Sequence, residues 1–243
     1  MQMGKPEEYH KAFAEQKLVG YGAVLIIARD LFFSRGALVA PGKWEKYLES
    51  LGEEKRKRLG DFTYFYYHTV RPWEASDGTH TIRDESRLVA ITSMMEKLMS
   101  TEEHLDFFQW FNRKYAGQNS VEDLSAIKEE YLADFGVHRK FKEYMRSYVV
   151  DSNRDELLIG IEIFDNGEFR SLADINEAAK LLYTMRSDFV HNAKMATFTS
   201  PRTMTPLTTV VGSSAYRFMM DIEYYMFIFE KSFVKYWLEQ ANT

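Results

Sequence analysis

The sequence predicts a mainly α-helical fold, and two observations support that prediction. Residues that favour helices, above all Leu, Met, Glu and Lys, are abundant. Most long segments repeat apolar residues every three or four positions, which is the spacing of one helix face. The chain has 243 residues, 45% of them hydrophobic, so it can bury a sizeable core as one large domain or two small ones.

Residues 1–118 are predicted to form a mainly helical N-terminal region whose role no motif indicates. A helix is also expected after Ser100, because Ser100 and Glu103 have the spacing of a capping box. Asp61–Val70 is dense in aromatic and β-branched residues, so it is predicted as either a strand or a short buried helix. The other helices of this region are expected at about Glu7–Leu18, Ala23–Phe33, Lys43–Leu51 and Glu85–Met99.

A second region is predicted over residues 119–243, although the chain could also form one continuous domain. The boundary is placed at Tyr115–Ser120, where small polar residues interrupt the chain. Glu156–Phe169 could be a strand, a hairpin turning at Asp165-Asn166-Gly167, or a helix. Met195–Leu207 contains two prolines and is predicted as a loop. The helices expected here are Val121–Phe135, Val137–Val149 beyond Gly136, Leu172–Ala193 opened by Ser171 and Asp174, and Ser213–Gln240.

Composition excludes several classes of protein. The formal net charge is −5, so a nucleic-acid surface would have to concentrate its positive charge locally. The chain contains no cysteine, which excludes disulfides and thiol catalysis and fits a cytoplasmic protein. The longest apolar run, Ala23–Ala28, is too short to span a membrane. The histidines lack metal-ligand spacing and no glycine-rich phosphate loop is present, so neither a metal nor a cofactor is predicted.

The predicted Leu172–Ala193 helix has two different sides. Its core side is expected to contain Ala178, Leu182, Met185 and Phe189. The opposite side mixes apolar and ionisable groups, which is unlike a plain solvated face and predicts that something covers it. That side contains Tyr183, Arg186, Ser187, Val190, His191 and Lys194.

The segment LLYTMRSDFVHNAK, which contains this second side, resembles the signature helix of HEPN-domain proteins. That signature is an arginine, four to six intervening residues and a histidine within an apolar helix. Here Arg186 and His191 are separated by four residues, and Phe189 and Val190 precede the histidine. The resemblance implies a HEPN-like helical bundle in the C-terminal half.

The resemblance implies a metal-independent RNA endonuclease that acts in stress or defence. The ribose 2′-hydroxyl would attack the adjacent phosphate and leave a 2′,3′-cyclic phosphate. His191 would exchange protons near neutral pH, and Arg186 would stabilise the charge on the phosphoryl oxygens. A homodimer through the Arg186/His191 face would bring two such pairs together, and an antitoxin or other regulatory protein could be a partner. Supporting roles fall to Ser187, Asp188, Asn192 and Lys194.

A noncatalytic interpretation stays open. Arg186 could pair with a carboxylate, while His191 could lie near the helix C-terminus, where the macrodipole favours a cation. The chain would then be a HEPN-like helical module that binds a protein partner or a nucleotide.

Overall fold

The structure, a computed structural model, describes residues 22–70, 80–100, 107–115, 124–135, 137–192, 194 and 207–241. As predicted, it is mainly helical. The helices are α1 (residues 22–34), α2 (Lys43–Ser50), α3 (Gly52–Thr69), α4 (His80–Leu98), α5 (Phe107–Tyr115), α6 (Leu124–Phe135), α7 (Val137–Tyr148), α8 (Asp151–Ile159), α9 (Ile175–Asn192) and α10 (Ile222–Gln240). The strands are β1 (Ile161–Asp165), β2 (Glu168–Ser171), β3 (Leu207–Val211) and β4 (Ser214–Phe218).

The chain divides into two compact units, and α10 begins in one and continues in the other. Unit 1 comprises Met1–Ser76 and Met226–Thr243, and unit 2 comprises Asp77–Tyr225. The boundary predicted near residue 118 falls within residues 116–123, outside the described residues, and stays a prediction. The predicted Glu7–Leu18 helix, Gly136 and most of the Met195–Leu207 loop also lie outside them.

Unit 1 has an aromatic core with one buried carboxylate. Phe32 of α1 meets Trp44 of α2 edge to face, with ring centroids 5.3 Å apart. The carboxylate of Glu230 in α10 is buried. It forms an ion pair with Arg35 and accepts a 2.6 Å hydrogen bond from the Tyr66 hydroxyl. These partners matter because an unpaired buried carboxylate would be strongly destabilising.

The sequence left Asp61–Val70 undecided between strand and helix. In the structure this segment forms the end of α3, with Val70 as the C-cap residue. The buried positions explain the outcome, because Leu59, Thr63, Tyr66 and Val70 recur every three or four residues. Helical periodicity therefore outweighs the β propensity of the aromatic residues in this segment.

Three helices, α4, α7 and α9, pack against one another in unit 2. Each contributes fully buried apolar side chains, and in α9 the predicted core residues Ala178, Leu182 and Met185 are among them. Phe189, the fourth residue of the predicted core side, is partly exposed. The other two helices supply Leu88, Ile91, Met95, Phe141, Tyr144 and Met145.

The start of α9 differs from the prediction that Ser171 opens the helix. Asp174 is the capping residue, because its Oδ1 accepts hydrogen bonds from the backbone N–H groups of Asn176 (2.7 Å) and Glu177 (2.9 Å). Glu177 reaches back to the N–H of Ala173 at 2.7 Å, which satisfies another donor before the helix. Ser171 instead ends β2, where it pairs with Glu162 of β1.

Unit 2 also contains a four-stranded antiparallel sheet in the order β2-β1-β4-β3. The sequence left Glu156–Phe169 undecided between strand, hairpin and helix. In the structure the segment contains the end of α8, all of β1 and the start of β2. Asn166 and Gly167 both have positive φ, as the tight turn of a two-residue hairpin requires. The Asn-Gly signal in the sequence thus marks the turn of the β1–β2 hairpin.

The prediction of a continuous helix from Ser213 is wrong, because Ser214–Phe218 forms β4 and α10 begins only at Ile222. β4 pairs with the preceding strand β3 and with β1, which lies much earlier in the chain. Across one pair, Arg217 donates to the Glu162 carboxylate at 3.1 Å.

Among the described residues, no helix is both long enough and apolar enough to cross a membrane.

Replacing Leu182 with alanine should lower the free energy of unfolding by about 2–5 kcal/mol, because it leaves a cavity on the buried side of α9. Lys180→Ala is the matched control, since Lys180 is exposed on the same helix, and its effect should stay within about 0.5 kcal/mol. Urea unfolding followed by circular dichroism measures both. Equal midpoints for the two variants would contradict this packing.

Candidate functional site

The residues predicted as functional all lie in or directly after the C-terminal half of α9. Arg186 is largely buried, with a side-chain exposure of 19%. Ser187 and Asp188 are partly exposed, whereas His191, Asn192 and Lys194 are exposed. Side-chain exposure therefore increases along the helix, from the largely buried Arg186 to the exposed His191.

Arg186 faces a carboxylate of α4 that the sequence analysis did not identify. Its Nη2 atom lies 3.8 Å from Oε2 of Glu96, which is an ion pair but too long for a hydrogen bond. The guanidinium also lies over the ring of Tyr183, 5.6 Å from the ring centroid. Within the described part of the chain, two buried atoms of this pair, Nε of Arg186 and Oε1 of Glu96, have no hydrogen-bond partner.

Glu96 is an unusual carboxyl group, because its residue is only 6% exposed. Burial raises the pKa of Glu96 to about 7, and the positive charge of Arg186 opposes that rise. The sequence did contain a signal for it. Glu96 follows Met94 and Met95 in an apolar helix pattern and precedes the buried Leu98, so the pattern places an acid within a buried side.

His191 lies in a different environment from Arg186. Five residues rotate the helix by about 140° and advance it by about 7.5 Å, so the two side chains leave α9 in different directions. Arg186 points towards Glu96, while His191 is exposed beside Val190, whose exposure is 49%. One copy of the chain therefore does not present the arginine and the histidine to the same surroundings.

Three of the predicted supporting residues help to end the helix. The Asn192 side chain donates a 3.1 Å hydrogen bond to Oδ1 of Asp188, one turn earlier. The backbone N–H of Lys194 donates to the backbone carbonyl of Asp188 at 3.2 Å. These contacts hold the chain close to His191 as it leaves α9, so they give Asp188, Asn192 and Lys194 a structural role.

A basic surface on α7, which the sequence analysis also missed, meets α9 beside Arg186. The ring centroids of His138 and Tyr183 lie 4.6 Å apart. Burial lowers the pKa of His138, and the nearby charges of Lys142 and Lys180 lower it further. Next to His138 is an open cavity of about 450 Å³, lined by His138, Arg139, Lys142, Glu143 and Arg146. Positive charge is therefore concentrated locally although the whole chain is acidic.

The Glu96 pKa has a consequence for stability. The folded state keeps its proton up to about pH 7, whereas the unfolded state loses it near 4.5, so Glu96 ionisation lowers the free energy of unfolding as pH rises through that window. Glu96→Gln should remove this loss. In urea unfolding at pH 5, 6, 7 and 8, the variant should gain stability relative to wild type with rising pH and level off above pH 7. Parallel pH profiles would contradict the raised pKa.

Comparison with protein-family models, with curated proteins and with solved structures gives no match to this chain.

Proposed function

We propose that this chain is a metal-independent RNA endonuclease of the HEPN type that acts as a homodimer. The observation that carries the proposal is the exposure of His191 together with Val190 at the end of α9, a helix whose other side is core. An exposed imidazole can exchange protons with a substrate near neutral pH. The exposed valine beside it is suited to contact with a second copy of the chain.

In this mechanism the ribose 2′-oxygen forms a bond to the adjacent phosphorus, and the bond to the 5′-oxygen breaks. His191 of one copy takes the proton from the 2′-hydroxyl, and the same histidine of the second copy gives a proton to the departing 5′-oxygen. The products are a 2′,3′-cyclic phosphate and a 5′-hydroxyl. This mechanism uses two histidines because a single imidazole cannot be the unprotonated base and the protonated acid at the same moment.

Arg186 would stabilise the negative charge that develops on the phosphoryl oxygens. Its contact with Glu96 does not prevent this role, because 3.8 Å is longer than a hydrogen bond. With a Glu96 pKa of about 7, a large fraction of that carboxyl is also uncharged at neutral pH. The arginine therefore keeps donors that a phosphate can engage.

A second candidate function is a noncatalytic HEPN-like module that binds a protein partner or a nucleotide. The separate surroundings of Arg186 and His191 favour it, because the arginine faces a carboxylate while the histidine faces solvent. The two candidates differ in one measurable respect. The enzyme loses cleavage but keeps its fold when either residue is replaced, whereas the binding module has no cleavage to lose.

Cleavage is tested by incubating the purified protein with a mixed RNA pool in excess EDTA. His191→Ala should lower the rate by roughly 10²–10⁴-fold, and Arg186→Ala by about 10²–10³-fold. His68→Ala, at an exposed histidine of α3, is the matched control and should cleave like wild type. End-group analysis should find cyclic phosphates.

Intact RNA in the presence of folded, dimeric wild-type protein would reject the endonuclease. Cleavage that survives both α9 substitutions would place the active site elsewhere.

The dimer is tested by replacing Val190 with glutamate. A carboxylate in the proposed interface should convert the dimer to a monomer in light scattering and abolish RNA cleavage, because buried unpaired charge is strongly unfavourable. Ile159→Glu is the matched control, since Ile159 is an exposed apolar residue at the end of α8. That variant should stay dimeric and active. A dimeric, active Val190→Glu protein would remove this face from the interface.

A further inference from the structure

We propose that the cavity along α7 is a binding site for the RNA backbone, which holds the strand beside Arg186 without taking part in cleavage. This site, the α7 groove, is lined by His138, Arg139, Lys142, Glu143 and Arg146. The inference rests on the proposed function for the identity of the anion, but its residues are separate from Arg186 and His191. It gives the enzyme a means of holding RNA at positions away from the bond that breaks.

The basic residues of the groove share one side of α7. With about 100° between successive residues, Lys142, Arg146 and Arg139 all lie within about 100° of His138 around the helix. The buried Phe141, Tyr144 and Met145 lie on the adjoining side, about 20° to 120° from His138 in the other direction around the helix. From His138 to Arg146 the helix rises about 12 Å, which is long enough to meet more than one phosphate of a nucleic-acid strand.

The charges around the groove favour an anion. Arg139, Lys142 and Arg146 line it, and Lys180 of α9 is close enough to lower the pKa of His138. Two carboxylates oppose them: Glu143 in the lining, and Asp174, whose pKa Arg146 helps to lower. Among the described residues, four cations against two carboxylates make this surface positive on a chain whose net charge is −5.

The groove lies next to the candidate site on α9. At one end, the His138 ring packs against Tyr183, and the guanidinium of Arg186 lies over the same tyrosine ring. At the other end, Arg146 donates a hydrogen bond to the side chain of Asn176, near the start of α9. A strand at the His138 end of α7 therefore lies close to Tyr183, the residue that Arg186 also contacts. This proximity is why we choose an RNA strand over an acidic peptide.

Binding is measured by fluorescence anisotropy with a labelled, fully 2′-O-methylated single-stranded RNA, which cannot form the cyclic phosphate. The double variant Arg139→Ala/Lys142→Ala should bind this RNA about tenfold more weakly than wild type. The slope of log affinity against log salt concentration should fall by about 1.4, since each phosphate contact on a single strand contributes roughly 0.7. Glu143→Gln should bind more tightly, because it removes a carboxylate from the groove.

The matched control is Lys43→Ala/Lys46→Ala, which removes the same charge from exposed positions of α2. It should bind RNA like wild type. Equal weakening in both double variants, or no weakening in the α7 variant, would overturn the site. Displacement of the RNA by poly-glutamate at equal charge concentration would overturn RNA as its ligand. Circular dichroism confirms that each variant is folded.

Failure of this inference can be told apart from failure of the proposed function. If wild type cleaves RNA but the α7 variant keeps full affinity, the endonuclease stands and the groove is rejected. If wild type binds the methylated RNA through α7 but cleaves no RNA in EDTA, the groove stands and the endonuclease is rejected.

Discussion

The apolar side of α9 is buried against its neighbours in unit 2, and this packing determines the position of every group in the candidate site. Ala178, Leu182 and Met185 occupy that side, so the rotation of the helix is decided by the core. Arg186 then lies at the edge of the buried side and His191 on the exposed side. The different surroundings of the two residues follow directly from the burial of the residues before them.

Burial also determines the electrostatics around Arg186. α4 contributes apolar residues to the same core, but Glu96 lies among them and loses most of its contact with water. The cost of charging that carboxyl exceeds the benefit of the nearby guanidinium, so its pKa rises to about 7. The charge state of the pair therefore depends on pH in the range where an imidazole also titrates.

The buried acid of unit 1, Glu230, has different partners from Glu96 of unit 2. Glu230 has both Arg35 and the Tyr66 hydroxyl as partners, whereas in the described part of the chain Glu96 has a single cation, at 3.8 Å. A well-partnered carboxylate stabilises a particular packing, since losing one partner leaves a charge in the core. A poorly partnered one leaves its arginine available to another anion, which is consistent with placing the functional site on α9.

Several features could be predicted from local sequence, because their causes are local. Helical periodicity marked α4, α7 and α9, and Asn166-Gly167 marked a hairpin turn through its positive backbone angles. The residue pattern of α9 also identified Arg186 and His191 as candidates.

Only the tertiary structure decided the features that depend on distant partners. β4 was predicted as part of a helix, but it is a strand because the distant β1 pairs with it on one side and the neighbouring β3 on the other. Glu96 and the basic side of α7 lie near Arg186 because packing brings three helices together, and no spacing within one segment encodes that proximity. The sequence by itself therefore determined the mainly helical character of the chain and which α9 residues could carry chemistry. Long-range pairing and burial decided what surrounds those residues.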